Sequence, residues 1–130
     1  MNLTERDIEQ VCALVSDLIY AGQFEEARAE LGMLWYEPDE DSELVLSQQA
    51  KAEILLQRGA LTGWLGSAKQ RDEQEEAKNL ITQALEIFEA SGNQIKIAET
   101  QYELGICYWR TGALDEARII LAKAKHIENV

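Results

Sequence analysis

The sequence predicts an all-α protein made of three antiparallel helix pairs, six helices in all. Helix-forming residues dominate the 130-residue chain, and Pro38 is its only proline. A local phrase also repeats, because AGQFEEARAEL at 21–31 returns ninety residues later as TGALDEARIIL at 111–121. Between them, the spacing of Ala52, Gly59 and Gly66 returns forty-six residues later in the third pair. Repetition at fixed offsets is typical of stacked helical repeats.

Each pair has recognisable ends. The first is predicted at 4–21 and 24–36, with Thr4 and Asp7 as an N-terminal cap and with Pro38 and the acidic residues around it ending the second helix. The second pair is predicted at 42–65 and 72–91. The third is predicted at 94–111 and 114–127, after the turn signal Gly92-Asn93.

Glycines are predicted to serve two purposes in these pairs. Gly22, Gly66 and Gly112 each follow a first helix, where a residue with positive φ satisfies the last carbonyls. Gly59 and Gly105 lie inside first helices, where the lack of a side chain lets the second helix approach closely.

The stretch 98–124 resembles the tetratricopeptide (TPR) repeat. The residues at that family's spacing are Leu104, Gly105, Tyr108, Gly112, Ala117, Leu121 and Ala124. The resemblance implies a right-handed α-solenoid forming a single domain over 1–130, with repeats at about 4–37, 42–92 and 94–128. The second pair departs from the pattern, because eleven residues separate Gly66 from Ala77 and Arg58 takes the place of Leu104.

In this family the first helix of each pair lines a concave groove that binds peptides or partner helices. The resemblance therefore predicts these groove residues: Glu9, Tyr20, Glu53, Leu56, Trp64, Glu99, Tyr102, Trp109 and Arg110. The same alignment also brings in Cys12, Ser16, Ile19, Ala60 and Ile106.

The predicted groove has an acidic row and an aromatic row. Glu9, Glu53 and Glu99 recur at one repeat position and would favour a basic partner segment, or would simply be solvated residues of a first helical turn. The aromatic residues would be interface anchors or ordinary repeat core. The family's clamp for acidic chaperone C-termini needs cations that these positions lack, so that mode is disfavoured.

Composition excludes several function classes. A net charge of −12 argues against nucleic-acid binding by this domain, and no apolar run reaches the length of a membrane helix. No signal peptide, metal spacing, phosphate loop or nucleophile motif is present, and His126 is expected at a helix end. We therefore expect no cofactor, no metal and no catalysis. Cys12 and Cys107 are expected to be reduced apolar residues in a bacterial-type cytoplasm.

The sequence thus predicts a non-catalytic protein–protein interaction module or scaffold. The alternative is a signal-receiving or self-association repeat region of a larger bacterial regulatory protein. A homodimer through the C-terminal helix is compatible with both. That helix would leave an apolar stripe uncovered, made of Ile119, Ile120, Ala124 and Ile127.

Overall fold

The computed structural model describes residues 4–36, 46–66 and 71–128, and these fold into six α-helices and one short 3₁₀ helix. The prediction of an all-α fold with six helices is confirmed. The α-helices are α1 (Glu5–Tyr20), α2 (Phe24–Leu31), α3 (Gln48–Leu65), α4 (Arg71–Ser91), α5 (Gln94–Arg110) and α6 (Leu114–Glu128). The predicted start of α3 at residue 42 lies outside the described residues.

Local signals explain most helix ends. Thr4 caps α1 in a reciprocal box, because its side chain accepts from the Asp7 amide and the Asp7 carboxylate accepts from the Thr4 amide. Ser47 and Asn93 cap α3 and α5 with single side-chain hydrogen bonds. The predicted helix 24–36 is divided, because Gly32 adopts φ 54° after α2 and a 3₁₀ helix follows at Gly32–Trp35.

The glycines after the first helices do not all act in the same way. Gly22 and Gly112 have φ of 78° and 82°, which confirms the left-handed turns predicted there. The same prediction is wrong for Gly66, which has an extended backbone with φ −78°. A Cβ at Gly66 would lie 2.9 Å from the Cβ of Glu73, so glycine is needed there for the close approach of α4.

The helices pack in chain order around two adjoining apolar clusters, and α3 contributes to both. Its residues Ala50, Ile54 and Leu61 pack with α1 and α2 in the first cluster. Its residues Leu55 and Leu56 pack with α4 and α5 in the second. This central helix therefore joins the first pair to the rest of a continuous solenoid.

Candidate partner-binding site

The first helices of the three pairs place equivalent side chains in unequal environments. Cys12 of α1 and Leu56 of α3 are 2% and 1% exposed, whereas Tyr102 of α5, at the same repeat position, is 43% exposed. Seven residues further along each helix, or two turns, Ile19 and Gly63 are buried and Trp109 is exposed. The face that is covered in α1 and α3 is therefore open in α5.

The cause is the stacking of successive pairs. Cys12 packs in one cluster with Ala50 and Ile54 of α3, so α3 covers this face of α1. Leu56 in turn packs in one cluster with residues of α4 and with Leu104 and Cys107 of α5, so these two helices together cover this face of α3. Within the described ranges no further first helix follows to cover α5.

The open side of α5 carries an apolar row. Ile95, Tyr102 and Trp109 are seven residues apart and so lie on one side of the helix, near two turns from one another. Ile95 is 79% exposed and Trp109 is 63% exposed. We call these three residues the α5 face. Large apolar side chains in such a row are typical of a surface that binds another protein.

A cleft of about 860 Å³ lies beside the first half of this row. Three helices contribute to its walls: the end of α1, the first half of α5 and the last turns of α6. Its lining residues are Tyr20, Gln94, Ile95, Ala98, Glu99, Tyr102, His126 and Ile127. The sequence-predicted residues Tyr20, Glu99 and Tyr102 are thus brought together.

The predicted acidic row is divided in the structure. Glu53 is buried, and the Nζ atom of Lys96 lies 3.3 Å from its Oε1 atom and 3.2 Å from the Oε2 atom of Glu99. Gln49 donates a further hydrogen bond of 3.2 Å to Glu53. Glu9 remains exposed on α1. Two of the three carboxylates therefore share one cation rather than facing solvent as a row.

Sequence reasoning missed Lys96, and only part of its role could have been found. Its i,i+3 spacing from Glu99 on α5 indicates a helical ion pair. Its contact with Glu53 joins α5 to α3 and depends on how the two helices stack. The same network reaches α1, because Glu53 and Lys96 both influence the pKa of Cys12, which burial raises to about 12.

Glu103 of α5 is a second buried carboxyl, and it is not among the residues that line the cleft. Its pKa is raised to about 7, mainly by burial and in part by Glu99, while Arg110 and a hydrogen bond with Tyr20 act in the opposite direction. Burial also lowers the pKa of Arg110, against the influence of Cys107 and Glu103. The Tyr20 contact links the end of α1 to the middle of α5.

Trp64 and Arg110 stack on each other, and the Trp64 side chain remains 38% exposed. The Trp64 ring lies 5.2 Å from the Phe24 ring, with 9° between their planes. The Arg110 guanidinium carbon lies 4.2 Å from the Trp64 ring centroid. A Cβ at Gly63 would overlap with that guanidinium, so the absence of a side chain there makes room for it. The Trp64 ring therefore makes two ring contacts within the chain, with Phe24 and with Arg110.

The remaining predicted residues are not part of the cleft. Leu56 lies in the core and contributes no open surface, because α5 packs over it. Trp109 belongs to the α5 face beyond the cleft, and Glu9 is exposed on α1. Tyr20, Glu99, Tyr102 and Trp109 are the predicted residues that one ligand spanning the α5 face and the cleft could contact.

The apolar stripe predicted on α6 is largely covered. Ala124 is buried, and Ile120 and Ile127 pack partly buried against the core, because this side of α6 faces α5. Ile119 is the member of that stripe which the structure leaves exposed. The apolar surface at this end of the molecule therefore lies mainly on α5.

The described residues contain no group of three or more His, Cys, Asp or Glu side chains placed to hold a metal ion. His126 is exposed in the last turns of α6, at the edge of the cleft. None of the helices in this part of the chain combines the length and apolar character needed to cross a bilayer.

Stacked helix pairs with an open first-helix surface define a helical-repeat protein of the kind that binds other proteins. The family model of the tetratricopeptide repeat matches residues 57–125, more than half of the chain. The chain belongs to the tetratricopeptide repeat family, whose repeats generally mediate protein–protein interaction. Comparisons with curated proteins and with solved structures gave no match.

Proposed function

We propose that this chain is a non-catalytic interaction module that binds a segment of a partner protein along the α5 face and the adjoining cleft. One observation carries the proposal: the repeat position that is covered in α1 and α3 is open in α5. A helix or extended segment laid there would occupy the position that the next first helix takes in the earlier pairs. Such a segment would bury the rings of Tyr102 and Trp109, and aromatic residues are frequent interface anchors.

We further propose that the bound segment is basic. The net charge of −12 attracts cationic segments at long range and speeds their association at low salt. Glu99 is the carboxylate that lines the cleft, and Lys96 pairs with it at 3.2 Å as it pairs with the buried Glu53, so the support comes mainly from the net charge. A reducing cytoplasm is the compartment we propose, because Cys12 and Cys107 are buried free thiols.

Selection of peptides from a random display library against the purified chain tests this function. Selected peptides should be enriched in Lys or Arg together with apolar residues. Calorimetry should show affinity that falls with added salt. Trp109→Ala should weaken binding by about tenfold, as expected for an exposed aromatic anchor.

The matched control for that variant is Met33→Ala. Met33 is a large apolar residue that is also well exposed, but it lies in the 3₁₀ helix of the first pair. The control should bind like the unaltered chain. Absence of any peptide that binds better than the millimolar range, or equal binding by Trp109→Ala and Met33→Ala, would contradict the proposal.

A second candidate function is stacking in a larger assembly, either as the repeat region of a longer regulatory protein or as a homodimer. The open α5 face favours it, and residues 94–130 contain five acidic and five basic residues. A neutral third pair lets two copies meet there with little charge repulsion. Sedimentation measured over a range of concentrations tests the homodimer, which predicts a mass that rises with concentration.

A further inference from the structure

One buried polar side chain of α5 lies at a repeat position that is apolar in the two earlier pairs. Gln101 is 8% exposed, and its Oε1 atom is buried without a hydrogen-bond partner among the described residues. At the fixed offsets of the repeat, the same position holds Val11 in α1 and Leu55 in α3, which pack in the two apolar clusters. A buried acceptor without a partner destabilises a folded chain. Gln101 therefore weakens the free protein where an apolar side chain would not.

Gln101 lines a second cleft, of about 440 Å³, between α5 and α6. The lining residues of this second cleft are Gln101, Ala122, Lys123, His126 and Ile127. His126 and Ile127 also line the first cleft, so the two clefts adjoin. A segment bound along the α5 face and the first cleft can therefore extend one of its side chains to Gln101.

The chemistry of the second cleft selects among the side chains that could pair with Gln101. A carboxylate would be attracted by Lys123, but it has no N–H to donate to the Oε1 atom. An ammonium or guanidinium group could donate, but Lys123 and His126 offer it no negative charge and Lys123 repels it. A neutral carboxamide donates to the oxygen of Gln101 and accepts from its amino group at the same time. The last torsion of a glutamine is broad, so the group can turn to meet such a partner.

We propose that the second cleft binds one asparagine or glutamine side chain of the partner segment, whose carboxamide pairs with that of Gln101. This inference rests on the proposed function and adds a specificity-determining contact to it. A single polar pair within an otherwise apolar contact fixes the register of a bound segment, as one buried asparagine does in a coiled coil. Leucine at that place in the partner would leave the Oε1 atom of Gln101 without a donor.

The stability of the free chain gives the first test. Gln101→Met keeps the length and helix propensity of the side chain and removes its polar atoms. Because the unpaired acceptor is lost, the unfolding equilibrium constant measured in urea should fall by about fivefold. Gln101→Leu, which gives α5 the residue that α3 has at Leu55, should change it in the same direction. The matched control is Gln83→Met, at an exposed position of α4, which should leave it unchanged.

Peptide binding gives the second test, with peptides selected from the random display library as the probe. Those selected against the unaltered chain should share an asparagine or glutamine at one position, and those selected against Gln101→Met should have an apolar residue there. Replacing that amide residue of a selected peptide by leucine should weaken its binding to the unaltered chain by about tenfold. The same replacement should have little effect on binding to Gln101→Met, since the two carboxamides act as a pair. Gln83→Met should bind like the unaltered chain.

Three results would overturn the amide site. They are a loss of stability in Gln101→Met and Gln101→Leu, selected peptides without a shared amide residue, and an equal effect of the leucine replacement on both chains. Failure of the site is distinguishable from failure of the proposed function. If peptides bind with a dependence on Trp109 but without an amide preference, the function stands and the site falls. If no peptide binds at all, the function falls and the site falls with it.

Discussion

Helices α3 and α5 occupy the same place in successive repeats, yet one is enclosed and the other is open. Leu56 and Gln57 of α3 are buried, because α1 and α2 pack on one side of this helix and α4 and α5 on the other. At the corresponding position of α5, the Tyr102 ring is exposed. The difference shows that the exposure of a first helix depends on whether another pair stacks on it. The proposed binding surface lies on the first helix that no later pair covers within the described residues.

The third helix pair, which contains α5, also differs in charge from the rest of the chain. Residues 94–130 carry equal numbers of acidic and basic residues, so the whole net charge of −12 lies in residues 1–93. An apolar surface on a neutral third pair can approach another protein with less repulsion than the acidic remainder of the molecule. The comparison of α3 with α5 can be tested by substitutions at equivalent positions.

The largest difference is expected between Leu56→Ala and Tyr102→Ala. Leu56→Ala empties space in the shared cluster and should lower the free energy of unfolding by about 3 kcal/mol. Tyr102→Ala removes a half-exposed ring and should cost less than about 1 kcal/mol. Urea denaturation followed by circular dichroism measures both. Equal losses would mean that α5 is covered in solution as α3 is.

The second test replaces Glu103 by the residue found at its position in α3. Gln57 is buried there and carries no ionisable group, whereas the pKa of Glu103 is raised by burial from 4.5 to about 7. Below pH 4.5 this carboxyl is protonated in both the folded and the unfolded chain. Between pH 4.5 and about 7 only the unfolded chain ionises, so the free energy of unfolding falls as the pH rises.

Glu103→Gln should therefore stabilise the protein by about 2 kcal/mol above pH 7 and have little effect below pH 4.5. Glutamine keeps an oxygen that accepts a hydrogen bond from Tyr20. Denaturation at several pH values measures the effect. The control is Glu89→Gln, at an exposed position of α4, which should show no such dependence. A stabilisation of the same size at every pH would contradict the assignment to Glu103.

The third test uses the equivalent glycines. A Cβ at Gly59 would lie 2.6 Å from the Ile81 side chain and 3.1 Å from the Ala77 backbone oxygen, so part of the obstacle is fixed backbone of α4. A Cβ at Gly105 would lie 2.5 Å from the Leu121 side chain and 3.2 Å from that of Ile120, and both of these side chains can shift. Alanine favours a helix over glycine by about 1 kcal/mol, which offsets part of the crowding. Gly59→Ala should therefore cost about 2 kcal/mol and Gly105→Ala about 1 kcal/mol. The reverse order in thermal or urea unfolding would show that the α5–α6 contact is the more rigid one.

Local sequence signals predicted the helices well, and stacking explains what they missed. The Thr4–Asp7 box and the turn glycines Gly22 and Gly112 act within a few neighbouring residues, so the sequence alone reveals them. The burial of Leu56 depends on α4 and α5, and Glu53 is paired with Lys96 of α5, which lies about forty residues further along the chain.

The candidate site was predicted only in part for the same reason. Tyr20, Glu99 and Tyr102 follow from the repeat positions, and the structure places them around one cleft. Lys96 and Glu103 do not follow from those positions, because their roles depend on contacts between α5 and the earlier first helices. The extended backbone of Gly66 likewise reflects the approach of α4 at Glu73 and not a local turn signal.

The smallest effect on stability is expected for Ile95→Gln, which gives α5 the residue that α3 has at Gln49. Both positions are exposed, so the free energy of unfolding should change by less than about 0.5 kcal/mol. Binding should respond differently, because Ile95 forms one end of the α5 face and lines the cleft. The variant should weaken display-selected peptides by about threefold, the loss expected for one apolar contact at the edge of an interface.

Measuring the stability of Ile95→Gln and of the unaltered chain at several protein concentrations distinguishes the two candidate functions. If the α5 face takes a partner segment, Ile95→Gln and the unaltered chain should unfold alike at every protein concentration. If two copies meet through this face, the unaltered chain should become more stable as its concentration rises, and the variant should lose that gain. Stability that depends on concentration in both proteins would place the self-association elsewhere, since the substitution changes only one end of the α5 face.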